Sequence, residues 1–368
     1  MRQHLYEPSL AITQITNESE KLLSFLEHQS EKAFDPRGYI TAMAAMINVK
    51  FAFGTKYDIT HPAIKQLKEL IDEQFYKDKE FMTCVYIFDH ISLARFFLFG
   101  TIKKLTIFIN KRFQALGRIF KEQEEQINSA EPSSGLAQVL IKSLKKNDFK
   151  NASHENSFLT KEHVLNLMHD LYAAGLLGIA SSLLWCIGFL ASYPEFQDKM
   201  QKDIDNVVGQ ERIPSIEDSP RLPSVHAFIM EVLRVANIGS NGLPRCATKD
   251  TTLCGYRVPK GTVVMVDLDV FHHNPKYWKI PEEFNPNRFI DSQGHLKTNQ
   301  GNWFPFSAGR RSCAGESLAK VELFLFLSAI LHHFTIVPED TEYPFCLKGS
   351  CTLGNFPLPF KVRAIKRF

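Results

Sequence analysis

The stretch Phe306-Ser307-Ala308-Gly309-Arg310-Arg311-Ser312-Cys313-Ala314-Gly315 decides how the rest of the chain is read. One cysteine stands behind two arginines and between two glycines, and the following segment, Glu316 to Phe326, reads as an apolar helix. A cysteine sulfur that serves as an axial ligand must be an anion in a tight turn, with amide N–H groups aimed at it and a cation nearby. Gly309 and Gly315 are expected to permit the turn and a close approach of backbone to a flat ring, and the helix N-terminus favours negative charge. Arg311 suits a haem propionate. The run therefore predicts that Cys313 ligates haem iron, whereas a lone cysteine without it would read as a small buried apolar residue.

Upstream, Glu231-Val232-Leu233-Arg234 puts a carboxylate and a guanidinium on one face of a helix that begins past Pro223. Phe284-Asn285-Pro286-Asn287-Arg288-Phe289 adds a second arginine after a proline-fixed turn. A buried cluster of three charges is costly unless fully hydrogen-bonded, so its expected purpose is to fix one geometry. Between these motifs, Tyr256 to Val266 predicts a hairpin turning at Pro259 to Gly261, and Phe345 to Ile365 predicts another small sheet.

The first half reads as helices. Ile12, Ile15, Ser19, Leu22 and Leu26 make one stripe. Ile64, Leu67, Ile71 and Phe75 make a second after a Thr60 cap and Pro62, and Leu105, Ile109, Phe113, Leu116 and Phe120 make a third. Leu171 to Tyr193 carries no charge and is long enough to cross a bilayer. Its Gly175, Gly178, Ser181 and Ser182, and the flanking Asp170 and Glu195, instead predict a buried core helix. The aromatics Phe96, Phe97, Phe99 and Tyr172 suit a core as well as a substrate wall. Polar connections are expected over 128–135 and 145–156.

A net charge of +3, with acidic and basic residues interleaved, argues against nucleic acid. The seven cysteines form no Cys-x-x-Cys pair and make an odd total, so neither a zinc site nor a disulfide framework is suggested, and a reducing compartment fits best. No Gly/Ser/Pro-rich linker divides the chain, so one domain over 1–368 is expected.

The complete pattern Phe-x-x-Gly-x-Arg-x-Cys-x-Gly, preceded in order by Glu-x-x-Arg, the hairpin and Pro-x-Arg-Phe, resembles the cytochrome P-450 family. Pro305 to Cys313 and Tyr256 to Thr262 resemble its microsomal, family-two branch. The resemblance implies a mainly α fold with small β-sheets (α+β), helical over 1–237, with the haem-binding and small-sheet part over 238–368. It implies haem b on Cys313, with Arg311 and Arg245 at the propionates and Phe306, Gly309, Gly315 and Ala174 also around the cofactor. Glu231, Arg234 and Arg288 would lock the segment below the haem. The implied activity is a monooxygenase that inserts one oxygen atom from O2 into an apolar small-molecule substrate. NADPH-cytochrome P-450 reductase would supply electrons, docking near Arg310, Arg311 and Lys320, at the cytosolic face of the endoplasmic reticulum membrane.

Two departures from that family follow. Its members carry an acid and an alcohol after Ala-Gly in the helix above the iron, where this chain has Ala174-Gly175-Leu176-Leu177-Gly178. Leucine and glycine side chains deliver no proton, which leaves Ser182, one turn beyond Gly178, as the candidate to hold a relay water. Chemistry that rearranges a lipid peroxide, as in a haem-thiolate isomerase or dehydratase, stays open. The three tryptophans, Trp185, Trp278 and Trp303, include none in an early Trp-x-x-x-Arg setting. That absence predicts a chain truncated ahead of its membrane anchor, first strands and substrate-capping loop, and an inactive isoform is the further alternative.

Overall fold

The computed structural model describes residues 8–54, 57–58, 60–72, 99–126, 135–146, 160–240, 242–297, 301–340, 349–351 and 354–368. Phe75, Cys84, Phe96, Phe97 and Cys346, with most of the two polar connections, lie outside them. Helices α1 (Pro8–His28), α2 (Arg37–Phe53), α3 (Pro62–Asp72), α4 (Phe99–Gln126), α5 (Leu136–Lys146) and α6 (Lys161–Ser192) fill the first half. They are followed by α7 (Pro194–Val208), α8 (Pro223–Ala236), the short α9 (Leu268–His273) and α10 (Glu316–His333), among small strands. Mainly helix with small antiparallel sheets is the architecture expected from the sequence.

The chain groups into two compact units, one holding residues up to Glu18 and Arg37–Ala180, the other Ser19–Pro36 and Ser181–Phe368. The α1 stripe is buried at Ile15, Leu22 and Leu26. On α4 the stripe is buried at Leu116 and Phe120, while Leu105, Ile109 and Phe113 are half-buried. The helix runs on through its charged end because Gln123, buried, donates to the Phe53 carbonyl at 2.8 Å. The turn before α3 is organised by Asp58 rather than Thr60: the Asp58 carboxylate accepts from the Thr60 N–H at 2.8 Å and hydroxyl at 2.6 Å, and from the His61 N–H at 3.2 Å. A carboxylate satisfies several amides at once, which a threonine hydroxyl does not.

In the first unit α2 meets the uncharged helix α6 at Gly175. Asn48, buried and donating to the Ala44 carbonyl at 2.8 Å, sets its amide oxygen where a Cβ at Gly175 would lie. Alanine is the better helix former by about 1 kcal/mol, so an uncrowded site would gain from it. Gly175→Ala is instead expected to destabilise by about 1–3 kcal/mol through overpacking, and adding Asn48→Ala to recover most of the loss. Urea midpoints of the two variants check both.

In the second unit every side chain of α6 from Ser181 to Ala191 is buried, as expected for a core helix. Phe189 stacks on Phe284 at 4.3 Å between centroids. Gln197, fully buried on α7, donates to the Ile336 carbonyl at 2.9 Å and accepts from its N–H at 2.8 Å, satisfying one edge of β5 (Phe334–Pro338). The other edge pairs antiparallel with β8 (Val362–Lys366), and β6 (Gly349–Cys351) pairs with β7 (Asn355–Pro357), so the expected tail sheet is present in two pieces.

The expected Tyr256–Val266 hairpin is corrected. β3 (Tyr256–Val258) pairs with β2 (Thr251–Leu253), and β4 (Val263–Val264) pairs with β1 (Arg245–Cys246). The tight turn is Cys254-Gly255, at φ 49° and 84°, which is the left-handed pair that a two-residue hairpin requires. Pro259 to Gly261 only crosses between the two pairs, pinned by Lys260 N–H on the Asp250 carboxylate at 2.8 Å and Gly261 N–H on the Ala247 carbonyl at 2.8 Å.

Candidate functional site

The cysteine run is an irregular loop with a single 3-10 turn at Gly309–Arg311, and it ends at the first turn of α10. Ser307 and Gly309 both take left-handed φ, 59° and 78°, so the chain folds back and the Cys313 N–H reaches the Phe306 carbonyl at 2.9 Å. Glycine is needed at 309 for that reason. Gly315 is not needed for its conformation: its φ is −91°, and a Cβ there would sit 3.9 Å from the Cys313 sulfur, an ordinary separation.

Cys313 is exposed, and the backbone amides of Gly315 and Glu316 at the start of α10 act on its sulfur in the direction that favours the anion. Desolvation of the thiol pushes its pKa above the ordinary cysteine value and the Glu316 carboxylate pushes the same way, while the two amides pull against them. An anionic sulfur therefore needs a further positive partner, which a metal ion supplies. Beside the loop, Arg245 on β1 donates to the Arg311 carbonyl at 3.4 Å, so these two exposed arginines come together. Strand β4 and the segments flanking the two strands expose apolar side chains: Leu243 is 76% exposed, Val266 48%, Val263 46% and Met265 41%. A soft sulfur ligand, two guanidiniums and bare apolar side chains fit a flat apolar group with carboxylate arms, and so fit haem.

The remaining expected cofactor residues are less concentrated. Phe306 is half-buried, its ring 5.6 Å from the Lys320 ammonium, which also lies 5.5 Å from the Trp303 ring and 2.7 Å from Glu316. Ala174 is exposed in the first unit, and Ser182, 5% exposed, belongs to the second. The neighbouring Ser181 hydroxyl is buried with no hydrogen-bond partner among the described residues.

The three-charge cluster is assembled. Glu231 and Arg234, both fully buried on α8, pair through two bonds, Arg234 Nε to Oε2 at 2.8 Å and Nη2 to Oε1 at 2.9 Å. Oε1 also accepts from Arg288 Nε at 2.9 Å and the Asn285 N–H at 2.8 Å. Arg234 spends a further N–H on the His272 carbonyl at 2.7 Å and lies 5.2 Å from the Trp278 ring. Arg288 donates to the carbonyls of Lys279, Ile280 and Glu283 at 3.0, 3.3 and 3.0 Å. The arginines thus fix the segment 279–289 by its own backbone, which the sequence pattern alone did not reveal.

His272 was also not legible as part of the site. It is fully buried, with Nδ1 3.1 Å from the Asn237 amide oxygen and Nε2 accepting the Phe304 N–H at 2.9 Å. The only sequence signal was a pair of histidines before Asn274-Pro275.

A family model described as Cytochrome P450 matches residues 2–364. Among individual proteins, the chain is 30% identical to human (Homo sapiens) Cytochrome P450 2U1 over 96% of its length and 64% of the relative's. It is 32% identical to Cytochrome P450 2J1 of Oryctolagus cuniculus, covering 96% of this chain and 68% of that one. It is 33% identical to the Steroid 17-alpha-hydroxylase/17,20 lyase of Mesocricetus auratus, covering 96% and 69%. The chain thus spans about 64% of the length of the human protein it matches.

Proposed function

The chain belongs to the cytochrome P450 family, and from that premise we propose that it is a haem-thiolate monooxygenase inserting one oxygen atom from O2 into an apolar organic substrate. The observation that carries the reading is the exposed Cys313 at the start of α10, held by its N–H on the Phe306 carbonyl at 2.9 Å with Arg311 and Arg245 brought together beside it. Haem b held by Cys313 would supply the activation of dioxygen, and the thiolate would contribute electron density to it.

The protein's own residues do the rest. Cys313 would hold the iron, whose positive charge would offset the raised pKa of the thiol, while the Gly315 and Glu316 amides and the N-terminus of α10 favour the anionic sulfur. Arg311 and Arg245 neutralise the propionates, and the exposed Leu243, Val263, Met265 and Val266 give the cofactor and an apolar substrate a water-excluding surface. Arg310 and Arg311 point positive charge at an incoming NADPH-cytochrome P-450 reductase. Lys320 is already spent on Glu316 and the rings of Trp303 and Phe306, and so ranks below them. As in the microsomal branch it resembles, we place the protein at the cytosolic face of the endoplasmic reticulum membrane.

The test is a reduced carbon monoxide difference spectrum of the haem-loaded chain. Native protein is expected to show the long-wavelength Soret band of thiolate-ligated haem, and Cys313→Ser to lose it; a band that survives the substitution overturns the assignment.

A second reading, a haem-thiolate isomerase or dehydratase of lipid peroxides, is favoured by one observation. Leu177 and Gly178 stand where an acid and an alcohol would deliver protons, and the buried Ser182 is the nearest hydroxyl-bearing candidate on that face. Turnover of a lipid hydroperoxide without reductase or NADPH selects that reading, and strict reductase dependence sinks it.

A further inference from the structure

The Glu231 cluster and the cysteine loop are separate in sequence, and one residue, His272, bonds to both. The His272 carbonyl takes the Arg234 N–H at 2.7 Å, and its ring takes the Phe304 N–H at 2.9 Å. Phe304 opens the loop: its carbonyl accepts the Ser307 N–H at 2.9 Å, and the Phe306 carbonyl accepts the Cys313 N–H at 2.9 Å.

The hydrogen bonds also settle which imidazole form does this. Nε2 receives a backbone N–H, so it carries no proton. The Asn237 amide nitrogen donates to the Asp269 carboxylate at 3.0 Å, which turns its oxygen toward Nδ1, and Nδ1 therefore holds the proton. Burial holds the His272 pKa down to about 4, helped by His273 and Arg234 and opposed by Asp269.

We propose that His272, as a neutral imidazole with its proton on Nδ1, is the positioning residue of the cysteine loop, clamping the Phe304 amide to Asn237 and, through its own carbonyl, to Arg234. It acts through the loop, its ring nitrogens taken up by Asn237 and the Phe304 N–H. The proposal rests on the reading of Cys313 as iron ligand, and it adds that the buried cluster acts on that ligand through His272, whose carbonyl meets Arg234 and whose ring meets Phe304.

Two variants of the full chain separate the clamp from mere filling of the core. A glutamine at 272 can place its side-chain oxygen near the Nε2 position and keep the bond to Phe304. An asparagine, shorter by one methylene, reaches only toward Nδ1. In cofactor-free protein, His272→Asn is expected to speed amide exchange at Phe304 and Cys313 by about tenfold, the worth of one buried hydrogen bond, and His272→Gln to remain within about twofold of native. After haem loading, His272→Asn is expected to shift signal from the thiolate carbon monoxide band to the shorter-wavelength band, with His272→Gln close to native.

Equal behaviour of the two variants in exchange and spectrum overturns the proposal. If His272→Asn does not fold, Asn237→Gly decides, because glycine accepts the φ of 41° at that position and the change removes the amide that fixes the tautomer, together with its bond to Asp269, while leaving the ring in place. Faster Phe304 exchange in that variant supports the clamp, and unchanged exchange refutes it. A native chain without any thiolate band would sink the ligand reading, and the exchange comparison would still decide the part played by His272.

Discussion

Glu231→Gln is expected to lower stability by about 3–5 kcal/mol and to leave the purified chain without haem. The magnitude follows from what remains behind. Arg234 is fully buried and Arg288 mostly so, and both guanidiniums give a bond to the Glu231 carboxylate. A neutral amide in its place cancels no charge and turns an NH2 toward one of them, so a buried cation loses its counter-charge while its desolvation cost stays. Removing all three charges together, with Glu231→Leu, Arg234→Met and Arg288→Met, is expected to restore much of the stability, as apolar replacements of buried ion groups do. It is not expected to restore haem, because the bonds from Arg288 to the 279, 280 and 283 carbonyls and from Arg234 to His272 are gone. Chemical denaturation measures the first quantity and the absorbance ratio of haem to protein the second. Normal haem content in Glu231→Gln would remove the cluster from any role in shaping the site.

The parts of the site that were legible in the sequence are those in which one residue type is tied to one backbone demand. Gly309 adopts a φ that disfavours other residues, and Glu231 and Arg234 are three apart on a helix, where pairing needs no tertiary information. Gly315 looked like the same kind of signal and was not, since its φ of −91° suits any residue. The hairpin failed for a related reason. Pro259-Lys260-Gly261 has turn composition, but strand pairing is chosen by the partner's hydrogen bonds, and Cys254-Gly255, with a cysteine where asparagine is the usual residue, closes the tighter turn. His272 escaped notice because its role is carried by a main-chain carbonyl and by a ring nitrogen that accepts a main-chain N–H, neither of which leaves a residue pattern behind. Asn48 against Gly175 is a meeting of two helices more than a hundred residues apart, and spacing along one chain segment does not encode it.

Glu322 gives the second large expectation, and it runs opposite to the usual effect of losing a buried charge. The side chain lies six residues into α10 at 1% exposure, and its Oε2 has no hydrogen-bond partner among the described residues. Burial alone raises its pKa from the ordinary 4.5 to about 8. The folded chain therefore keeps a proton there that the unfolded chain releases, and between pH 4.5 and 8 the native state binds one more proton than the unfolded state. Stability must then fall as pH rises through that window, by about 1.4 kcal/mol per unit. Glu322→Gln has the shape of the protonated acid and no proton to lose. The variant is expected to match the native chain at pH 4.5 and to exceed it by about 4–5 kcal/mol above pH 8. His272 tilts the native curve the other way, since its pKa of about 4 makes stability fall on acidification below 6.5. The difference between the two proteins is accordingly the quantity to follow, because every group they share cancels in it. Urea midpoints taken at intervals across the range give that difference, and a gap that stays constant with pH would show that the Glu322 carboxyl is not protonated in the folded chain.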